Sequence, residues 1–130
     1  MMTFSMNFTI EADLDRRLIR EKIYGIWKEE TAILYHEEYK RVAEPLVKEK
    51  WAKLVDLSNW KSSYPEVVDR IGRHLCWCAE NGMVWSVNII DNPVTIMQLE
   101  RMFAIGGTLG ISKMFRTIAD GDKFLKGNGF

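Results

Sequence analysis

Neither sign of charge prevails in this chain of 130 residues, where eighteen lysines and arginines meet eighteen aspartates and glutamates. A molecule without a net field has no general pull on nucleic acid or on an anionic membrane surface, so neither is expected as a partner. Cysteine is scarce, with two residues, and histidine equally so. Two cysteines cannot build a disulfide framework, and Met1–Ile10 lacks the basic and then apolar segments of a secretory leader. The expectation is a cytoplasmic protein with reduced thiols. No apolar run approaches the roughly eighteen residues that a membrane-spanning helix requires.

What is present is the balance of a globular protein, 47% hydrophobic and 28% charged. No repeat, linker or low-complexity stretch divides the chain, which predicts one domain over residues 1–130 with its own core. Thr3–Ile10 alternates, placing Phe4, Met6, Phe8 and Ile10 on one face of a strand and Thr3, Ser5, Asn7 and Thr9 on the other. A second strand from Arg17 to Tyr24, closed by Gly25, pairs with it as an antiparallel hairpin. Helical spacing of Tyr35, Tyr39, Val42, Ala43 and Leu46 predicts a helix over residues 28–50, kinked or broken at Pro45.

Trp51–Leu57 reads as a buried strand. The next helix is expected from Ser63, which stands three residues before Glu66 in capping-box spacing with Pro65 in the first turn. Val68, Ile71, Leu75 and Cys78 form its stripe, and Asn81-Gly82 ends it. Met83–Ile90 is a strand with Met83, Trp85, Val87 and Ile89 on one face. Asn92 and Pro93 start a helix carrying Ile96, Leu99, Met102 and Phe103. A last strand at Lys113–Ile118 and a short helix at Asp120–Leu125 complete the order. Strands alternating with helices imply a mixed, mostly parallel five-stranded sheet with an antiparallel N-terminal hairpin and about four helices, an α/β fold.

The opening hairpin, the long helix, the strand ending Leu54-Val55-Asp56-Leu57-Ser58 and the serine-led helix after it resemble the STAS, or anti-sigma-factor-antagonist-like, superfamily. The likeness covers nearly the whole chain in element order and about ten residues in motif. It implies a non-enzymatic regulatory or binding module without a cofactor, acting through a protein partner or as a homodimer. In one branch of that family a serine in an Asp-Ser-Ser-Gly-like loop is phosphorylated. The matching positions here are Lys61, Ser62, Ser63 and Tyr64, which makes Ser62 and Ser63 the candidate phosphoacceptors. Without the loop's Asp and Gly, a sensor, ligand-binding or scaffold relative is the better family-level expectation.

In sheets of this kind, ligands collect beyond the C-terminal strand ends, where helix N-termini point. The candidate partner- or ligand-binding residues there are Ser58, Trp60, Ser62, Ser63, Asp91 and Asn92, and two helix ends favour an anion. An alternative function is a carrier or sensor of a small apolar or lipid-type ligand, with an apolar pocket beneath Met83 and Trp85. Trp60, in an expected loop, and Trp77, off its helix stripe, are the tryptophans read either as peripheral core packing or, where exposed, as marks of a binding surface.

His74, Cys76 and Cys78 invite a metal reading, but Cys76 points away from the other two on a helix and His36 is far off in sequence, so no metal is expected. Cys78 on the apolar stripe is read as a structural thiol, not a nucleophile. Ile105–Gly110 superficially resembles a phosphate loop but follows a helix and precedes a strand, which makes it a helix terminus. No catalytic constellation is assigned.

Overall fold

The computed structural model describes residues 2–4 and 7–130, with side chains from Asn7 onward. Among the described residues six strands form one sheet in the order β1-β2-β3-β4-β5-β6. These are β1 (Met2–Phe4), β2 (Phe8–Asp13), β3 (Leu18–Trp27), β4 (Trp51–Ser63), β5 (Met83–Ile89) and β6 (Ser112–Phe115). β1, β2 and β3 pair antiparallel; β3 to β6 pair parallel. The α/β class, the mixed sheet and the four helices are as the sequence implies. The sixth strand arises because the first alternating stretch divides in two, with Thr3 opposite Ile10. The expected faces of Phe4, Ser5 and Met6 lie outside the described residues and side chains.

Helices α1 (Glu29–Ala43), α2 (Pro65–Glu80) and α3 (Pro93–Gly106) each carry the chain from one parallel strand to the next. Because neighbouring strands are consecutive in sequence, all three crossovers fall on the same face. α1 starts with Glu29 and Glu30 and ends with Lys40 and Arg41, charges that complement its dipole. Pro45 then stops it: Glu44 still has helical backbone at φ -47 and ψ -46, but proline has no N–H to donate to the carbonyl four residues earlier. The main core lies between these helices and the sheet, built from Phe8, Ile19, Trp27, Tyr35, Tyr39, Trp51, Val55, Leu75, Phe103 and their neighbours. α4 (Ile118–Gly127) crosses to the opposite face and covers a smaller cluster of Leu18, Ala52, Leu54, Val87, Ile89 and Leu125.

Bulges decide which residues face which core. Val84 is skipped in the β4–β5 register, where Trp51 pairs with Met83 and Ala52 with Trp85. Met83 therefore joins the helix-side core while Trp85, Val87 and Ile89 serve the α4 side, in contrast to the single face that plain alternation gives. β3 does not close at Gly25; it passes through that residue at φ +76, beside a register shift, and continues to Trp27. A positive φ is available to glycine without Cβ strain, and the shift delivers Trp27 to the core.

Candidate functional site

β4 determines the site. It runs thirteen residues to Ser63, six beyond the expected end at Leu57, because two register shifts keep Asn59–Ser63 paired with Tyr24–Trp27 of β3. Trp60 consequently sits in a strand, not a loop, and is 5% exposed. Its indole N–H donates to the Ser63 hydroxyl oxygen at 3.1 Å and to the Ser62 carbonyl at 3.1 Å. Ser63 is buried and is the last strand residue, so the helix cap falls on Tyr64, which makes no side-chain capping bond. The expected capping box is absent because the Ser63 backbone is already engaged. Its N–H donates to Gln98 Oε1 and its carbonyl accepts from Gln98 Nε2, both at 3.1 Å. Gln98 on α3 thus mimics a further strand at the end of β4, a role the sequence reading did not assign.

Two spaces meet at Trp60. Outside lies an open groove of about 550 Å³ lined by Leu57, Ser58, Asn59, Trp60, Lys61, Asp91, Asn92 and Arg116. Of the six sequence-predicted residues, the groove gathers Ser58, Trp60, Asp91 and Asn92, and Ser62 and Ser63 do not line it. Ser58 Oγ is bound to Asp56 Oδ1 at 2.6 Å, and Arg116 reaches Asp91 at 3.4 Å on the open surface. Asn92 caps α3 as expected, accepting from the Val94 N–H at 2.9 Å. Inside lies an apolar cavity of about 50 Å³. Leu57 and Trp60 line both spaces, so their side chains form the partition.

The cavity is roofed by Ile71 and Leu75 of α2 and by Leu99, Met102 and Phe103 of α3. It lies on the helix face, not beneath Trp85, which packs edge-on against Phe124 on the other side of the sheet. Lys53, Asn88, Ser63 and Tyr35 interrupt its apolar lining. Lys53 alternates with Trp51 and Val55 on the core face of β4 and is 3% exposed. Glu21, equally buried on β3, stands diagonally from it, since Ile19 is the register partner of Lys53 and Val55 that of Glu21. Lys53 Nζ and Glu21 Oε2 are 3.4 Å apart, and Tyr35 donates a short hydrogen bond to the other Glu21 oxygen. Burial and the Glu21 carboxylate push the Tyr35 hydroxyl well above the usual phenol range. Lys53 Nζ also lies 5.3 Å from the centre of the Tyr39 ring.

A second polar file borders this pair. His74, 2% exposed, has its Nδ1 2.9 Å from His36 Nδ1 and its Nε2 3.4 Å from the Cys78 thiol. Burial, reinforced by Lys53 and His36, holds His74 well below the usual imidazole range, so it is neutral. Burial likewise pushes the Cys78 thiol up to about 12, the environment of an inert sulfur. Trp77 is half-buried beside both imidazoles. Among the described residues no group of three or more His, Cys, Asp or Glu side chains is placed to hold a metal ion. No described helix is long and apolar enough to cross a membrane.

Lys53 and Glu21 were missed because a charge inside an apolar run gives no sign of its partner. The available clue was placement: Lys53 in Trp51–Leu57, and Glu21 between Ile19 and Ile23, occupy core positions of alternating strands.

The fold is one seen before. The chain superposes with a TM-score of 0.68 on the crystal structure of an uncharacterized protein of the DUF3478 family, with a SpoIIAA-like fold, from Shewanella loihica PV-4. The two share 15% identity, over 96% of this chain and 98% of the other. The chain therefore has the SpoIIAA-like fold, that of the STAS and anti-sigma-factor-antagonist domains. No protein-family profile matches the sequence. No curated protein matches it.

Proposed function

We propose that this chain is a non-enzymatic, STAS-like binding module that senses a small, predominantly apolar ligand held in the cavity beneath α2 and α3. The single observation that carries this reading is the shared wall. Leu57 and Trp60 line both the internal cavity and the external groove, so an occupant on one side bears on the surface of the other. A mostly apolar lining with a few polar side chains is the usual chemistry of small-molecule pockets. At about 50 Å³ the space is roughly a third of the ~150 Å³ of a cavity known to hold benzene, so it suits a guest of only a few heavy atoms. Among the titratable groups near the cavity, Cys78 has an inert thiol and His74 is locked in a buried file, which supports binding without chemistry on a substrate.

A test is native mass spectrometry of gently purified protein, with amide chemical shifts followed as apolar guests of a few heavy atoms are added. Retained apolar molecules, or shifts at Leu57, Trp60, Met102 and Phe103, support the reading. Saturating guests that leave those amides unmoved overturn it.

A second reading, docking of a protein partner or a second copy at the rim, is favoured by the polar groove itself. Ser58, Asp91, Asn92, Lys61 and Arg116 present both signs of charge there, and Trp60 and Ser63 stand behind them. Ser62 is the more open of the two candidate phosphoacceptors, Ser63 being buried against the Trp60 indole. Light scattering across protein concentrations, on the native chain and on Arg116→Glu, tests self-association. A dimer weakened by that change supports it, and a monomer at every concentration removes it.

A further inference from the structure

The cavity's polar lining narrows what it would hold. Tyr35 spends its hydroxyl proton on Glu21, and the Asn88 amide nitrogen is committed to the Ser86 carbonyl and hydroxyl and to the Lys113 carbonyl. Ser63 Oγ accepts from Trp60 and keeps its own O–H, a neutral donor. Lys53 is different. Its side chain lines the cavity, and its ammonium, with three N–H donors, has one carboxylate oxygen of Glu21 at 3.4 Å and the face of Tyr39 as its partners among the described residues. A buried ammonium with donors to spare is stabilised by any acceptor that reaches it, and hydrogen bonds to charged groups are the stronger kind.

Charge decides which acceptor suits it. Glu21 already neutralises Lys53, so a carboxylate guest would bring a second negative charge beside Glu21 in a low-dielectric interior and leave the site with net charge. A neutral oxygen carries no such penalty. We infer that the cavity selects small, uncharged molecules with an apolar body and one carbonyl or ether-like oxygen, the oxygen accepting from Lys53 and the body packing under Leu75, Leu99, Met102 and Phe103. This inference rests on the ligand-sensing reading above and adds the chemical class of the ligand.

Three probes of similar size, each of four heavy atoms to match the small cavity, separate the outcomes: acetone, its isostere isobutene, and acetate, each titrated against the whole chain and followed by amide chemical shifts of the cavity residues. Acetone is expected to bind about tenfold tighter than isobutene, as one hydrogen bond to a charged donor implies, and tighter than the carboxylate. The double variant Lys53→Met with Glu21→Gln leaves no buried charge unpaired, and in it the preference for the ketone should vanish while the hydrocarbon still binds. Equal binding of ketone and hydrocarbon to the native chain, tightest binding of the carboxylate, or a ketone preference that survives the double variant overturns the inference and leaves the ligand-sensing reading standing. Failure of all three probes to bind overturns both.

Discussion

A Cβ placed on Gly106 would lie 2.6 Å from the carbonyl oxygen of Gly72, so α3 touches α2 backbone to backbone at this point. The reverse substitution meets the same limit, since a Cβ on Gly72 would lie 2.4 Å from Ile105 Cγ2. The two glycines set the spacing of the helices that roof the cavity.

Gly106→Ala is therefore expected to push the pair apart and destabilise the fold by about 1–3 kcal/mol, the usual cost of overpacking a filled interface. Urea unfolding measures it. A midpoint unchanged from the native chain would mean that the helices separate freely.

Trp60→Ala removes the partition between groove and cavity and strips a large buried side chain, for a loss of about 3–5 kcal/mol. Ser63→Ala should cost far less, because the Trp60 indole keeps the Ser62 carbonyl as acceptor. Thermal unfolding of the two variants side by side checks the ordering.

The buried ion pair predicts a non-additive response. Lys53→Met alone strands Glu21 and is expected to cost about 3–5 kcal/mol, whereas the double change with Glu21→Gln should recover most of that. A double variant as unstable as the single one would mean that the pair is not coupled.

Acid should weaken the fold through His74. Its folded-state pKa is depressed by burial, so below the ordinary imidazole value the unfolded chain binds a proton that the folded chain refuses. Stability is then fully present above about pH 6.5 and falls as pH drops below it, with a slope approaching about 1.4 kcal/mol per pH unit for this group. His74→Gln should flatten that slope whatever it does to stability at neutral pH, which denaturation curves at pH 5 and 7.5 would show.

Thiol accessibility should split. Cys78 is fully buried with its thiol pushed up to about 12, while Cys76 is partly exposed beside Glu80. A colorimetric thiol reagent is expected to count one cysteine in the native chain, reacting slowly because Glu80 raises the Cys76 pKa, and two in denaturant.

Much of the architecture was legible because it rests on local periodicity. Alternation at Phe8 and Ile10, the helical spacing of Tyr35, Tyr39 and Val42, and the Asn92-Pro93 start each record one residue's burial or capping in its own neighbourhood. The site was less legible. Ser58-Asn59-Trp60-Lys61-Ser62-Ser63 has the composition of a loop, and what holds it in the sheet is pairing with Tyr24–Trp27, more than thirty residues earlier, and with Gln98 on another helix. Local composition carries no trace of such pairing.

The sequence by itself determined the order of strands and helices from β3 onward, and with it the parallel sheet and the common face of the three crossover helices, because handedness and short connections leave that order few ways to fold. Tertiary structure alone decided the chemistry of the interior. Bulges at Val84 and along β4 chose which face Met83 and Trp60 serve, and strand register set Glu21 diagonally against Lys53. Packing of α1 on α2 brought His36 to His74. Each of these depends on contacts between segments far apart in the chain, and a period of 2 or 3.6 residues records only which side of its own element a residue occupies.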